Sequence, residues 1–161
     1  MRLLPALLLA LVAGLPLSAS AQPLQLSGPT LDGAAFNLQS LRGRVVMLFF
    51  WNTDCVPCVQ RMPELRANAA GWRGKPFTLV LVSTDRDREA ARGYVRTLRQ
   101  VDKEAVDAPL LWAGEQRLGG GLTLPASVPL TLVIDAKGAV VARHAGRIAP
   151  EAWDEVAGLL P

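Results

Sequence analysis

Histidine and cysteine are scarce in this 161-residue chain, which has one His and two Cys. A zinc centre needs about four N, S or O ligands, and the single His144 lies far along the chain from both cysteines. The count therefore argues against a bound metal. No cysteine directly follows the apolar N-terminal run, so a lipoprotein-type attachment has no acceptor. Runs of like charge are missing too: 17 Lys and Arg are scattered among 14 Asp and Glu, for a formal charge of +3. The densest basic stretch, Arg86 to Arg99, is interleaved with Asp87 and Glu89 and reads as a solvated helix face. Nothing in that pattern suits nucleic acid. Repeats, low-complexity tracts and linkers are also missing, which leaves one domain.

At the N-terminus Arg2 precedes an almost wholly apolar stretch, Leu3 to Leu17, and then the small residues Ala19-Ser20-Ala21. The order basic, apolar, small is that of a secretory signal peptide, with cleavage expected after Ala21. An uncleaved membrane anchor is the alternative. The run is shorter than the roughly 20 residues that span a bilayer, and Gly14 and Pro16 interrupt it. Residues 1–21 are thus expected to be a signal peptide and residues 22–161 the mature domain, exported to the periplasm or an equivalent space.

Along residues 22–161, Leu24 to Leu38 reads as a hairpin turning at Asp32-Gly33. Val45 to Trp51 is an unbroken apolar run, rich in β-branched and aromatic types, and predicts a strand buried on both faces. A helix is expected from about Cys55 to Gly71, kinked at Pro63. Phe77 to Val82 is a second buried strand. Arg86 to Gln100 is a helix with Ala90, Ala91, Val95 and Leu98 on its apolar face. A short strand at Pro109 to Trp112, a helical turn and a loose Gly119-Gly120-Gly121 follow. Val128 to Ile134 and Ala139 to Arg143 form a second hairpin, and Pro150 to Leu160 a last helix. Strands alternating with helices imply parallel pairing, and the late hairpin adds an antiparallel edge.

Both cysteines sit in Cys55-Val56-Pro57-Cys58, where the long strand gives way to the first helix. A disulfide closing so short a loop removes little entropy from the unfolded chain, so the pair is a poor staple. Chemistry is the better use. A helix N-terminus carries free N–H groups and partial positive charge, which favour the Cys55 thiolate, the species that attacks disulfides. Cys58, one turn on and deeper, then resolves the mixed disulfide. Pro57 fixes a backbone φ between them and withdraws one N–H. Asp54 opposes the thiolate, either directly or by capping the helix, and no Lys, Arg or His lies between Trp51 and Cys58. A reducing couple is expected, below the roughly −180 mV of protein disulfide isomerase.

The segment Phe50 to Cys58 followed by Met62-Pro63-Glu64-Leu65 resembles the active-site segment of the TlpA/ResA-like branch of the thioredoxin superfamily, which is related to AhpC/TSA proteins. Leu31-Asp32-Gly33 to Leu41-Arg42-Gly43 resembles the N-terminal hairpin of that branch, and Val128-Pro129 to Asp135 its cis-proline strand. The resemblance implies an α/β thioredoxin-like fold, a central mixed sheet flanked by helices, with an N-terminal β-hairpin. It implies an exported thiol–disulfide oxidoreductase with Cys55 attacking and Cys58 resolving. Trp51 would pack beneath the site, Pro129 would be the cis-proline, and the Val128 backbone would pair with an extended substrate. Clients would be proteins with disulfides or cysteine pairs, with apocytochrome c, a copper-site subunit and misoxidised proteins in general all open, and with a membrane electron donor, no cofactor, and a monomeric protein.

The chain departs from the branch where acids are expected. Asp54 stands where Trp is common, Phe49 replaces the buried acid of thioredoxins, Arg61 follows Cys58 where Glu is frequent, and Leu130 follows Pro129. Asp85 and Asp87 are the remaining acids near the second strand, in what reads as a solvated loop. Two other functions stay open. A peroxiredoxin-like peroxidase would need Pro-x-x-x-Thr-x-x-Cys, whose threonine falls on Asn52 and proline on Leu48. A copper-binding metallochaperone would need Cys-x-x-x-Cys and a distant His, one residue longer than the spacing here.

Overall fold

The computed structural model describes residues 22–101 and 108–161, so the signal peptide expected over residues 1–21 lies outside the described residues. Among the described residues there are eight strands: β1 (Gln25–Pro29), β2 (Ala35–Asn37), β3 (Val45–Trp51), β4 (Phe77–Ser83), β5 (Leu110–Trp112), β6 (Arg117–Gly119), β7 (Leu130–Ile134) and β8 (Val140–Ala145). Three α-helices accompany them there: α1 (Val56–Gly71), α2 (Arg88–Val101) and α3 (Pro150–Gly158).

Every residue of β3 is buried, which is what an apolar run without alternation requires, and the strand sits at the centre of a five-stranded sheet ordered β5-β4-β3-β7-β8. β4 and β5 run parallel to their neighbours, while β7 is antiparallel to β3 and β8 to β7. The steps β3 to β4 and β4 to β5 move the same way across the sheet. Right-handed crossovers then place α1 and α2 on the same face. The packing agrees: Cys58, Met62 and Leu65 of α1, Ala91 and Val95 of α2, and Ala152 and Val156 of α3 share one core with Met47, Phe49 and Trp51. On the opposite face Val46, Leu48 and Phe50 meet Leu26, Phe36, Leu38 and Leu122. A small sheet ordered β2-β1-β6 contributes to that cover.

Three local readings change. Gly119, expected to open a loose Gly119-Gly120-Gly121, instead ends a strand that was not expected, β6, which pairs antiparallel with β1, Leu26 opposite Leu118. Gly120 follows at φ +63°, and a Cβ there would come within 2.0 Å of the Pro23 carbonyl oxygen, so the turn demands glycine. On α2, Ala90 is exposed, and the buried stripe runs through Ala91 and Val95 with Tyr94 and Leu98 half-buried. A 3.6-residue period puts position 90 about 100° off that stripe. β7 begins at Leu130 and not Val128, in keeping with a proline at 129 that has no N–H for the ladder.

Candidate active site

The C-terminal end of β3 and the N-terminus of α1 place the two cysteines. Cys55 is the N-cap of α1, with extended backbone, and its Sγ accepts from the Cys58 N–H at 3.2 Å. Pro57 stands in the first turn, where the N–H it lacks has no intrahelical partner in any case. Cys55 and Cys58 are joined as a disulfide, Cα atoms 5.2 Å apart. The two sulfurs differ in access: Cys58 is fully buried, whereas Cys55 is half-buried at the edge of the helix-covered core. Asp54, Val56 and Pro57 around Cys55 are exposed. Asp54 therefore does not cap the helix, since the cap is Cys55 itself.

Trp51 is fully buried in the same core as Cys58, its ring 4.9 Å from that of Tyr94. Its indole N–H meets no hydrogen-bond partner among the described residues. Burial raises the Tyr94 hydroxyl above the ordinary phenol range, against the pull of Arg66. The Val128–Pro129 bond is cis. Register places it at the same end of the sheet as the cysteines: Leu130 pairs with Phe50, so Pro129 falls level with Trp51. Val128 packs against both cores, and the Pro129 carbonyl accepts from the Gly146 N–H at 2.9 Å.

Arg61, one turn beyond Cys58, turns to Glu64 at 2.7 Å, and Glu64 also accepts from the Trp153 indole at 2.8 Å. The hydrogen bond from Arg61 holds the Glu64 carboxyl below its usual range, with burial opposing and Trp153 assisting. His144 lies on the edge strand β8 opposite Thr131, which is level with Phe49, so two strand positions across the sheet separate it from β3. Among the described residues no group of three or more His, Cys, Asp or Glu converges as a metal site, and no helix is long and apolar enough to cross a membrane.

Asp85 is the residue whose surroundings differ most from expectation. It is buried, not solvated. Oδ1 accepts from the Thr53 N–H at 2.9 Å and the Thr53 hydroxyl at 2.6 Å, and Oδ2 from the Ser83 hydroxyl at 2.6 Å. Asp87 is exposed and accepts from the Glu89 N–H at 2.9 Å at the start of α2.

A parallel-and-antiparallel sheet with a cysteine pair at the strand-to-helix junction and a cis-proline level with it defines a thioredoxin-fold protein. The chain belongs to the Redoxin family, whose model matches residues 16–159. It is 26% identical over 116 residues to the thiol-disulfide oxidoreductase ResA of Bacillus cereus, an alignment covering 72% of this chain and 63% of that protein. Among the similar solved structures are two at 25% identity. The thioredoxin-family thiol:disulfide interchange protein of Chlorobium tepidum has a TM-score of 0.67, over 88% of this chain and 97% of the other. A secreted disulfide oxidoreductase of Mycobacterium tuberculosis has a TM-score of 0.62, over 83% and 95%.

Proposed function

We propose that this chain is an exported thiol–disulfide oxidoreductase that reduces protein disulfides, with residues 22–161 as its single mature domain. The observation that carries the reading is the asymmetry of the pair: one sulfur reachable at a helix N-terminus, the other buried behind it. In the dithiol form, the Cys55 thiolate attacks one sulfur of a client disulfide and expels the other as a thiolate, which takes up a proton. Cys58 then loses its proton and attacks Cys55 Sγ, releasing the second client thiol and closing the Cys55–Cys58 disulfide. Two electrons and two protons pass to the client. A dithiol donor, presented from the membrane, restores the starting state.

Trp51 supports the pair from below. The backbone at Val128 offers an extended client a strand edge, with Pro129 beside it. Export is supported by the basic, apolar and small-residue order of residues 1–21, and intact mass of the exported protein should begin at Gln22.

Cys58→Ser should accumulate mixed disulfides with client proteins through Cys55, because nothing is left to resolve them. Cys55→Ser should capture almost none. Alkylation followed by non-reducing gels and mass spectrometry reads both. Equal capture by the two variants would overturn the roles.

A further inference from the structure

The loop that delivers Cys55 to its helix is held by a second loop from the neighbouring strand. After β3 the chain turns at Asn52–Cys55, with the Cys55 N–H donating to the Asn52 carbonyl at 3.3 Å. Thr53 lies inside that turn, and both its N–H and its hydroxyl are bound by one oxygen of Asp85. The other oxygen of Asp85 is bound by Ser83, whose Oγ in turn accepts the Asp85 N–H at 3.1 Å. Thr84 adds two contacts, its N–H at 2.7 Å and hydroxyl at 3.1 Å, both to the Trp51 carbonyl. The Trp112 indole donates to the Asp85 carbonyl at 2.8 Å and anchors the loop to β5. A carboxylate with both oxygens engaged by three short donors is a fixed post.

We infer that Asp85 is a positioning residue for the thiol chemistry: through Thr53 it sets where Cys55 stands on the N-terminus of α1. The inference rests on Cys55 being the attacking thiol. Helix-terminal stabilisation falls off within the first turn and depends on where the sulfur sits against the free N–H groups. A thiolate allowed to swing outward loses the Cys58 N–H and moves towards water. Position and charge therefore predict opposite signs. If Asp85 acts by position, cutting it back to alanine raises the Cys55 midpoint. If it acts only as a nearby negative charge, any neutral replacement lowers that midpoint. The other charges on the adjoining segments are Asp54 beside Cys55, the Arg61–Glu64 pair and Arg66 on α1, and Arg86, Asp87 and Arg88 after Asp85. All of them stay in place in every variant below.

The test uses the reduced mature protein in a Cys58→Ser background, with the pH profile of iodoacetamide alkylation reading Cys55 alone. Asp85→Ala should raise the midpoint by about one unit, a roughly tenfold slower reaction at pH below it. Asp85→Asn keeps an acceptor for Thr53, because the Ser83 hydroxyl can rotate to meet the amide, and should leave the midpoint close to that of the parent. Thr53→Val removes one of the bonds while keeping shape, and should move the midpoint the same way as Asp85→Ala by a smaller amount. It decides the matter should Asp85→Ala fail to fold. A lowered midpoint in both Asp85 variants, or an unmoved one in Thr53→Val and Asp85→Ala, would overturn the inference. Client capture is a separate readout: a parent that titrates as described yet traps no protein refutes the proposed function and leaves the positioning role standing.

Discussion

On the helix-covered face of the central sheet, Met47, Phe49 and Trp51 share a core with Cys58, whereas on the other face Val46, Leu48 and Phe50 share one with Leu26, Phe36 and Leu38. Both faces exclude water equally well, yet their contents differ. The second core is wholly apolar among the described residues. The first adjoins the buried polar groups: Ser83 is level with Trp51 and Thr131 with Phe49, so both point to the helix-covered side, and Asp85 follows just beyond. A helix N-terminus presents unpaired N–H groups that a sulfur can use, and Cys55 stands at that of α1 on the helix-covered face. One face holds the fold and the other holds the fold and the chemistry.

The sharpest way to break that comparison is to truncate matched neighbours across the sheet. Phe50→Ala and Trp51→Ala each remove a fully buried aromatic ring, and each should cost about 3–5 kcal/mol in denaturant unfolding. Only Trp51→Ala should also change the rate at which Cys55 is alkylated in the reduced protein. An equal change from Phe50→Ala would show that both faces serve the site.

A smaller effect separates the exposed rim from the buried wall. Asp54 is exposed and leaves the cap to Cys55, so its charge acts on the sulfur only through solvent. Asp54→Asn favours the thiolate, stabilises the dithiol form and should shift the couple in the oxidising direction. An exposed charge is worth at most about 1 kcal/mol, which is roughly 20 mV for two electrons. Equilibration with glutathione measures it, and also the parent couple, expected below about −180 mV. A parent value near −120 mV, that of a strong oxidant, would reverse the proposed direction of electron flow.

The smallest effect tests whether the polar partners on the helix face stabilise as well as position. Glu64 is held below its usual range by Arg61 first and Trp153 second. A carboxylate lowered on folding contributes stability that is complete above its unfolded value, about 4.3, and is lost as pH falls through the folded one. Glu64→Gln should therefore cost less than about 1 kcal/mol at neutral pH, and the cost should shrink at acid pH once the parent's carboxyl is protonated in the folded state too. Unfolding curves at the two pH values check this.

How much of this was legible in the sequence depended on how far each partner lies along the chain. β3 was readable to its last residue because a seven-residue apolar run carries its own signal. The cysteine pair and its strand-to-helix setting were readable for the same reason. β6 was not, since Arg117-Leu118-Gly119 becomes a strand only by meeting β1, more than 90 residues earlier. Asp85 was read as solvated because its partner Thr53 is 32 positions away and nothing local marks the bond. Ala90 was misplaced by an error of one helical step, which composition alone does not correct.

The β1–β6 pairing also orders events in time. β1 and β2 are joined by a tight turn and can pair as soon as both exist, but a lone two-stranded hairpin is marginal in water. The far edge of β1 waits for Arg117 to Gly119 to be made, which at about 5–20 residues per second is a delay of roughly 5–20 s. Through that interval the backbone of Gln25 to Ser27 is an open strand edge, able to pair with any extended chain.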